Sequence, residues 1–475
     1  MMENPLQRCR SQNKKKKRDG YNPGCDEYNR DRISELPEEI LGRIVCGLPL
    51  KEAAATSILS KRWRWIWTLN KNLDFDAHQT LNRILDSKNY AKLLKHERRK
   101  YIDKVNSVIT QRSKTNNMVV GIDRFRIDFD LSRKHSSSID SWIDFAMKNR
   151  VHILELELFE LGGIRVIYDC YILRKEQFDP IALNSLKVLN LACVDISGKV
   201  VEWLLSNCPL LERLKIVAST KLIKLRILGG PLKHLEISRC IDLKTLKIHD
   251  AQNLVSLYSL SNSSYKFRLR NVPKLVHLFI NANFGLEGQQ LGSTFTLLSS
   301  CLSQLQILHL NLSIQTHLRN LEYPMLINLK QLKLTVNPKE NLNLLRSRIT
   351  YFLKVSPCLQ RLELMMLFLD YFLDEMCEFI IEPANWPLEE VEILGYSGTP
   401  NEDQLIIYFA ENLVALQKII VHPSAFRNYN PPFKRIKNSK TIRKEEKIRD
   451  HAVQHIKGKI PTAVELEFVL PLIYS

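Results

Sequence analysis

A chain of 475 residues is too long for one compact core, so several domains or a repeat array is expected. An apolar fraction of 45% excludes a wholly disordered chain, and no run reaches the ~18 consecutive apolar residues of a membrane span. The net charge of +18 favours an acidic partner somewhere, but much of it sits in two blocks, Lys14 to Arg18 and Lys434 to Arg449.

In chain order, residues 1–30 are polar, basic and aperiodic, which predicts a disordered tail without a secretory signal. Within it, Lys14, Lys15, Lys16, Lys17 and Arg18 form a lysine-rich run of the nuclear-import kind, and the expected location is nucleus or cytoplasm. From Asp31 the character changes. Leu36, Ile40, Leu41, Ile44, Val45 and Leu48 recur at helical spacing, with Pro37 at the first turn and Glu38 and Glu39 behind it. Gly47 and Pro49 stop that helix. A second apolar pattern then runs through Ala53, Ala54 and Ser57 to Trp63, Trp65 and Trp67. Helices in so short a segment cannot bury their apolar faces alone, so this segment needs a partner.

Beyond a helical linker expected over 77–120, the pattern L-x-x-L-x-L repeats. Copies start at Leu211, Leu232, Leu254, Leu275, Leu305, Leu329, Leu359, Leu388 and Leu416, at separations of 21, 22, 21, 30, 24, 30, 29 and 28 by subtraction. That brackets the leucine-rich-repeat period of ~20–29 residues. Segments such as Gly198–Glu212 carry helical spacing, which predicts helices or turns between the strands. One copy, Leu243/Leu246/Ile248, starts only eleven residues after Leu232. It lies either on the return side of one coil or at an irregularity of the ladder.

The middle residue of each L-x-L alternates away from the core. That column reads Asn190, Lys215, Glu236, Tyr258, Phe279, His309, Lys333, Glu363 and Glu392. Tyr258 and Phe279 occupy adjacent rungs, so they either anchor a bound protein together with His309 and Lys333, or pack on each other. The C-terminal block reads as a helix-bearing cap, with Val464, Leu466, Phe468 and Leu470 alternating as a last strand.

No phosphate loop, dinucleotide fingerprint, zinc-protease or nucleophile-elbow motif occurs, and the ten cysteines form no CxxC pair. The expected protein is non-catalytic, without metal or cofactor, and not a membrane protein. The basic blocks lack the interleaved aromatics of a nucleic-acid site, so nucleic acid is not the expected partner.

The segment Asp31–Asp76, DRISELPEEILGRIVCGLPLKEAAATSILSKRWRWIWTLNKNLDFD, resembles the plant F-box. Its Leu36-Pro37 start, Leu48-Pro49 step, Thr56-Ser57, Leu59-Ser60-Lys61-Arg62-Trp63 and Trp67 follow the family order. Phe125–Leu158 resembles the opening of the leucine-rich part of those proteins, and Leu388–Pro423 resembles their C-terminal FBD-type segment. The resemblance implies a three-helix F-box at 31–76 that docks a Skp-type adaptor and, through it, a cullin. Leu36, Pro37, Ile40, Ile44, Leu48, Leu59 and Trp63 are the adaptor contacts it implies. Ala55 departs from the family pattern, where many members carry arginine. The implied fold class is α/β, a leucine-rich horseshoe solenoid over 121–382 with an FBD-like cap over 383–475. The implied function is substrate recognition in an SCF-type ubiquitin ligase, with an unidentified protein as target. A leucine-rich scaffold outside ubiquitination is the alternative.

Overall fold

The computed structural model describes residues 33–85, 87, 89–114, 121–159, 169–260, 265–281, 298–311, 325–336, 342–366, 386–423 and 439–469. The tail 1–30, with its Lys14–Arg18 run, lies outside them. The chain divides between Asn70 and Lys71 into two compact units.

The first unit is helical. Helix α1 (Glu38–Cys46) begins after Pro37, carries Glu38 and Glu39 in its first turn, and stops at Gly47. Helices α2 (Leu50–Ala55) and α3 (Trp63–Ile66) follow, each continued by a 3₁₀ turn, Thr56–Ile58 and Trp67–Leu69. Leu41, Val45, Leu50, Ala53, Trp63, Ile66 and Trp67 are buried. Asn70 is buried too, and its Nδ2 donates to the Val45 and Leu48 carbonyls at 2.9 and 3.1 Å. It thereby ties the end of this unit to the turn that ends α1, adding to the Leu48 amide at the Val45 carbonyl.

The second unit is a parallel ladder. Its strands are β1 (Asn72–Asp76), β2 (Arg124–Asp128), β3 (Ile153–Glu157), β4 (Tyr171–Leu173), β5 (Val188–Ala192), β6 (Val194–Ile196), β7 (Arg213–Val217), β8 (Lys224–Leu228), β9 (His234–Ser238) and β10 (Thr245–His249). They continue as β11 (Ser256–Leu260), β12 (Lys266–Arg270), β13 (His277–Asn281), β14 (Ile307–Asn311), β15 (Gln331–Val336), β16 (Arg361–Met366), β17 (Glu390–Tyr396), β18 (Lys418–Pro423) and β19 (Glu465–Phe468). One sheet of fourteen strands runs β1-β2-β3-β5-β7-β9-β11-β13-β14-β15-β16-β17-β18-β19, which is chain order with the return-side strands left out. The leucines stack in register: Leu154, Leu189, Leu214, Leu235, Leu257, Leu278, Leu308, Leu332, Leu362, Val391 and Ile419 form one buried column. Each such side chain contributes about 1.5–3 kcal/mol of burial. The copy at Leu254/Leu257 has Ser259 where its siblings have Leu, Ile or Val. Ser259 is buried and hydrogen-bonded to the Tyr265 hydroxyl at 2.5 Å, so the missing apolar group leaves no open polar atom.

Three expectations are corrected. Residues 72–76 are not the end of the helical module but β1, paired with β2. The described residues of 77–114 are not a linker between domains. They carry α4 (His78–Leu85) and α5 (Tyr90–Lys114), and α5 packs on the first strands, so the ladder starts at 72 rather than 121. The Tyr101 hydroxyl donates to the Phe75 carbonyl at 2.6 Å and accepts from the Asp128 amide at 3.2 Å, while its ring stacks on Phe129. Further helices on the return path are α6 (Ser136–Lys148), α7 (Gly198–Asn207), α8 (Leu342–Val355), α9 (Pro400–Asn412) and α10 (Ser439–His455). Third, the short-period copies carry strands rather than helices on their return side. β8, β10 and β12 form a separate three-stranded parallel sheet. Leu246 and Ile248 of the irregular copy lie there. A 21-residue coil has room for two five-residue strands and their corners, not for a strand and a helix.

Corners in this part share one device. The residue after β5, β7, β9, β10 and β12 has positive φ: Cys193, Ala218, Arg239, Asp250 and Asn271. Their amides continue the ladder, as in Cys193 to the Val217 carbonyl and Ala218 to the Ser238 carbonyl, both 2.9 Å. The left-handed conformation costs a non-glycine residue about 1–2 kcal/mol, offset at Cys193, Ala218, Arg239 and Asp250 by a satisfied amide.

Gly198, the first residue of α7, lies against β8 so closely that an added Cβ would fall 1.7 Å from the Lys224 carbonyl oxygen. Gly198→Ala is expected to destabilise the ladder by about 2 kcal/mol or more, the scale of an overpacked core. A chemical-denaturation midpoint equal to that of the parent protein would show that α7 and β8 do not approach in this way.

Candidate functional site

In the helical unit, α1 carries two apolar faces. Leu41 and Val45 point inward, whereas Ile40 and Ile44, one turn apart, are exposed. Pro37 is exposed beside them, and Leu36 and Leu48 are half-buried. Ile33, Ile58, Leu59 and Trp65 are also exposed, Ile58 by 87% and Leu59 by 61%. So dense a set of exposed large apolar side chains on one small module marks a protein-contact surface. Arg62 braces the entry turn, with Nη2 donating to the Leu36 carbonyl at 2.7 Å and Nη1 donating to the Ser34 carbonyl.

Of the adaptor contacts expected from sequence, the structure leaves Pro37, Ile40, Ile44 and Leu59 at the surface and Leu36 and Leu48 partly so. Trp63 is corrected: it is 3% exposed, and its side chain belongs to the core. Ile33, Ile58 and Trp65 were not singled out. Trp65 stands two residues from the buried Trp63, with the Arg64 guanidinium 5.5 Å from its ring. On so short a helix, spacing alone does not tell which tryptophan faces out. Ala55 is exposed, so its departure from the family pattern changes surface and not core.

On the ladder, the outward column falls in register. It runs Asp74, Arg126, Glu155, Asn190, Lys215, Glu236, Tyr258, Phe279, His309, Lys333, Glu363, Glu392, Ile420 and Glu467. Strand neighbours ~4.8 Å apart let successive rungs pair. Arg124 lies 2.5 Å from Glu155, and Asn190 donates to the same carboxylate at 2.5 Å. Arg126 gathers Asp74, Asp128 and Glu157 at 3.4, 2.6 and 2.7 Å. Lys215 pairs with Glu236 at 3.2 Å, Lys333 with Glu363 at 2.5 Å, and Lys418 with Glu467 at 2.6 Å. The His422 imidazole, 2.8 Å from Glu392, and then Arg361 hold the Glu392 carboxyl down to about 2.

The middle of the column is aromatic. Tyr258 stacks on Phe279 with ring centroids 4.0 Å apart, and His309 meets the other face of Phe279 edge-on, also at 4.0 Å. Phe279 is only 7% exposed as a result, so the second of the two arrangements open from sequence, mutual packing, is the one adopted. Tyr258 and His309 keep exposed edges, and Lys333 stands on the next rung. His309 is hydrogen-bonded through Nε2 to Thr335 Oγ1 at 2.8 Å. Desolvation between its neighbours, with Lys333 adding repulsion, pushes its pKa down to about 3. The ring is therefore neutral at physiological pH. Among the described residues, no group of three or more His, Cys, Asp or Glu side chains is placed to hold a metal, and no helix is long and apolar enough to cross a membrane.

These geometries meet the comparisons with known proteins. The model described as "At1g61320/AtMIF1, LRR domain" matches residues 164–472, and the F-box domain model matches residues 33–73. The chain belongs to the plant F-box/LRR family of the FBD type. An F-box/LRR-repeat protein of Arabidopsis thaliana is 26% identical over 417 residues, which is 83% of this chain and 74% of the relative. A second from the same plant is 30% identical over 202 residues, 40% of this chain and 60% of that one. An F-box/FBD/LRR-repeat protein of the same plant is 31% identical over 208 residues, 41% and 43% of the two chains. An F-box followed by leucine-rich repeats is the general architecture of SCF-type substrate receptors, which are adaptors and not catalysts.

The depressed His309 pKa has a measurable sign. An unfolded histidine takes up a proton near pH 6.5, whereas the folded one does not until near 3, so stability falls as the pH drops through that window. The slope is at most about 1.4 kcal/mol per pH unit, reduced because the ring keeps an exposed edge. His309→Gln is expected to lessen the loss of urea midpoint between pH 7 and pH 5. An unchanged difference would place His309 in water.

Proposed function

We propose that the chain is the substrate-recognition subunit of an SCF-type cullin ubiquitin ligase. The helical unit docks a Skp-type adaptor, which carries the cullin, and the ladder holds a target protein for ubiquitination. The observation that carries this reading is the exposed ridge of Pro37, Ile40, Ile44, Ile58, Leu59 and Trp65 within the segment matching the F-box model. The unit has buried what it needs for its own core and still presents an apolar surface.

In this reading Leu36 and Leu48 flank the ridge, and Trp63 supports it from within. The target contacts the outward face of the long sheet near Tyr258, His309 and Lys333, with Phe279 stiffening the aromatic stack. Residues 388–423 and the strand β19 serve as the FBD-type cap of a horseshoe, and the Lys14–Arg18 run directs nuclear import. The adaptor link raises the effective concentration of the bound target near the transferring machinery, so the receptor needs no catalytic group of its own.

Adaptor binding separates this reading from that of a leucine-rich scaffold outside ubiquitination. Purified full-length chain is expected to retain a Skp-type adaptor. Ile40→Asp with Ile44→Asp should weaken that complex at least about a hundredfold, two anchors each being worth about 2 kcal/mol or more, while leaving the fold intact because both side chains are exposed. Tyr258→Ala should leave adaptor binding unchanged. If the parent chain fails to bind the adaptor, the scaffold reading takes the lead.

A further inference from the structure

The three-stranded sheet of β8, β10 and β12 turns a second face outward. Leu225, Ile227, Leu246, Ile248, Phe267 and Leu269 point into the core. The alternate positions form a grid of three rows, set by the register: Lys224–Thr245–Lys266, Arg226–Lys247–Arg268 and Leu228–His249–Arg270. Six of these nine positions are Lys or Arg and none is acidic. Lys224, Arg226, Lys266, Arg268 and Arg270 are exposed.

This grid differs in kind from the long sheet, where Arg126 faces Asp74, Lys215 faces Glu236 and Lys333 faces Glu363 on neighbouring rungs. Rungs ~4.8 Å apart put Arg226, Lys247 and Arg268 side by side, and like charges directly opposite destabilise a sheet. Among the described residues, none of the six cations has a side-chain hydrogen bond or ion pair. The carboxylates around the patch are engaged or stand off it. Glu202 of α7 accepts from the backbone amide of Arg226 at 2.9 Å, and Asp250 accepts from Asn271 at 2.7 Å. Asp242 sits in the turn that precedes β10. An uncompensated basic grid on a rigid parallel sheet is therefore maintained against its own repulsion.

We propose that this face is a docking site for an extended, Asp- and Glu-rich segment of a partner protein. Along a strand, cations two residues apart stand ~6.7 Å from one another, which is the spacing of alternate side chains on an extended peptide. An acidic strand lying along β12 thus meets a cation at each alternate side chain, Lys266, Arg268 and Arg270, with Lys247 of β10 and Lys224 and Arg226 of β8 on the adjoining rungs. The guanidinium forks of Arg226 and Arg268 can each donate two parallel hydrogen bonds to a carboxylate. A nucleic acid fits less well, for the nine positions carry no Phe, Tyr or Trp on which bases could stack. The grid spans only roughly 10 by 13 Å from its rung and residue spacings, enough to meet a few phosphates of a duplex. The inference does not depend on the ligase reading, since it uses neither the adaptor nor the long sheet.

The test uses the full-length chain and a fluorescein-labelled eight-residue peptide of alternating Glu and Ser, followed by anisotropy. Its controls are the same peptide with Gln for Glu and a single-stranded oligonucleotide of equal net charge. Arg226→Gln, Lys247→Gln and Arg268→Gln together, all on outward positions, remove the middle row. The expected result is binding of the acidic peptide that the Gln peptide lacks, that weakens with added salt, and that falls tenfold or more in the triple variant. Replacing Lys14 to Lys17 by Gln should leave it unchanged, which separates the grid from the basic tail. If the triple variant does not fold, Arg268→Glu alone serves, with a threefold or larger loss expected. Equal binding by the triple variant, tighter binding of the oligonucleotide, or no binding of the acidic peptide would each overturn the proposal.

Discussion

The structure depends on one constraint, the in-register stacking of paired apolar residues along a parallel ladder. In each L-x-L rung the two outer residues enter the core and the middle one leaves it. A slip by one residue would expose both leucines and bury a charge, so the register is fixed by burial energy and not by the surface residues. Once Leu154, Leu189, Leu214 and their successors lie in one column, the neighbouring column from Asp74 to Glu467 has no freedom left. Its chemistry is then whatever the sequence places at those middle positions.

That geometry explains why the two outer faces of the ladder behave differently. On the long sheet, Lys215 faces Glu236 and Lys333 faces Glu363, so repulsion between rungs is cancelled locally. Such partly exposed pairs add little stability, about 0–1 kcal/mol each, and their main effect is to relieve repulsion between neighbouring rungs. The three adjoining rungs without a charge pair are Tyr258, Phe279 and His309, and desolvation keeps His309 uncharged. On the return sheet the same rung spacing brings Arg226, Lys247 and Arg268 together, and nothing on that sheet cancels them. Equal backbone geometry thus yields a neutral aromatic strip on one side and a concentrated positive field on the other.

What was legible in the sequence follows from the same logic. The long repeat and the nine-residue outward column could be read because period two and a period of 21 to 30 residues are strong, long-range signals. The helix start at Pro37 was legible for local reasons, proline and two acids at a helix N-terminus. The return strands were legible only in part. TLKIH showed as the copy that breaks the period, with the return side of a coil as one of its two placements, and the structure puts it there. KLRIL and KFRLR are five residues each, too short for their alternation to be told from a turn or a helix end. The positive-φ corners at Cys193, Ala218 and Arg239 use residues with no turn signature, because ladder hydrogen bonds, not side-chain preference, hold them there. The strand NLDFD was absorbed into the helical module because its partner, β2, lies some fifty residues later in the chain. Trp63 was misplaced, and Phe279 was left with two arrangements, for one reason: a sequence shows that a side chain is large and apolar, but not whether its neighbours already cover it.

Burial also sets how the two units can take part in binding. The ladder adds core with each rung, so almost all its large apolar side chains are consumed internally, and its outer faces speak through charge and hydrogen bonding. Complementary charge governs which partner is accepted and how fast it arrives more than how tightly it is held. The helical unit is too small to consume Ile40, Ile44, Ile58 and Leu59, and each of these left in water costs the free protein what a partner would recover by covering it. In the proposed reading, affinity then resides in the small unit and discrimination in the large one, a division that would let the faces of the ladder diverge in charge without weakening the adaptor contact.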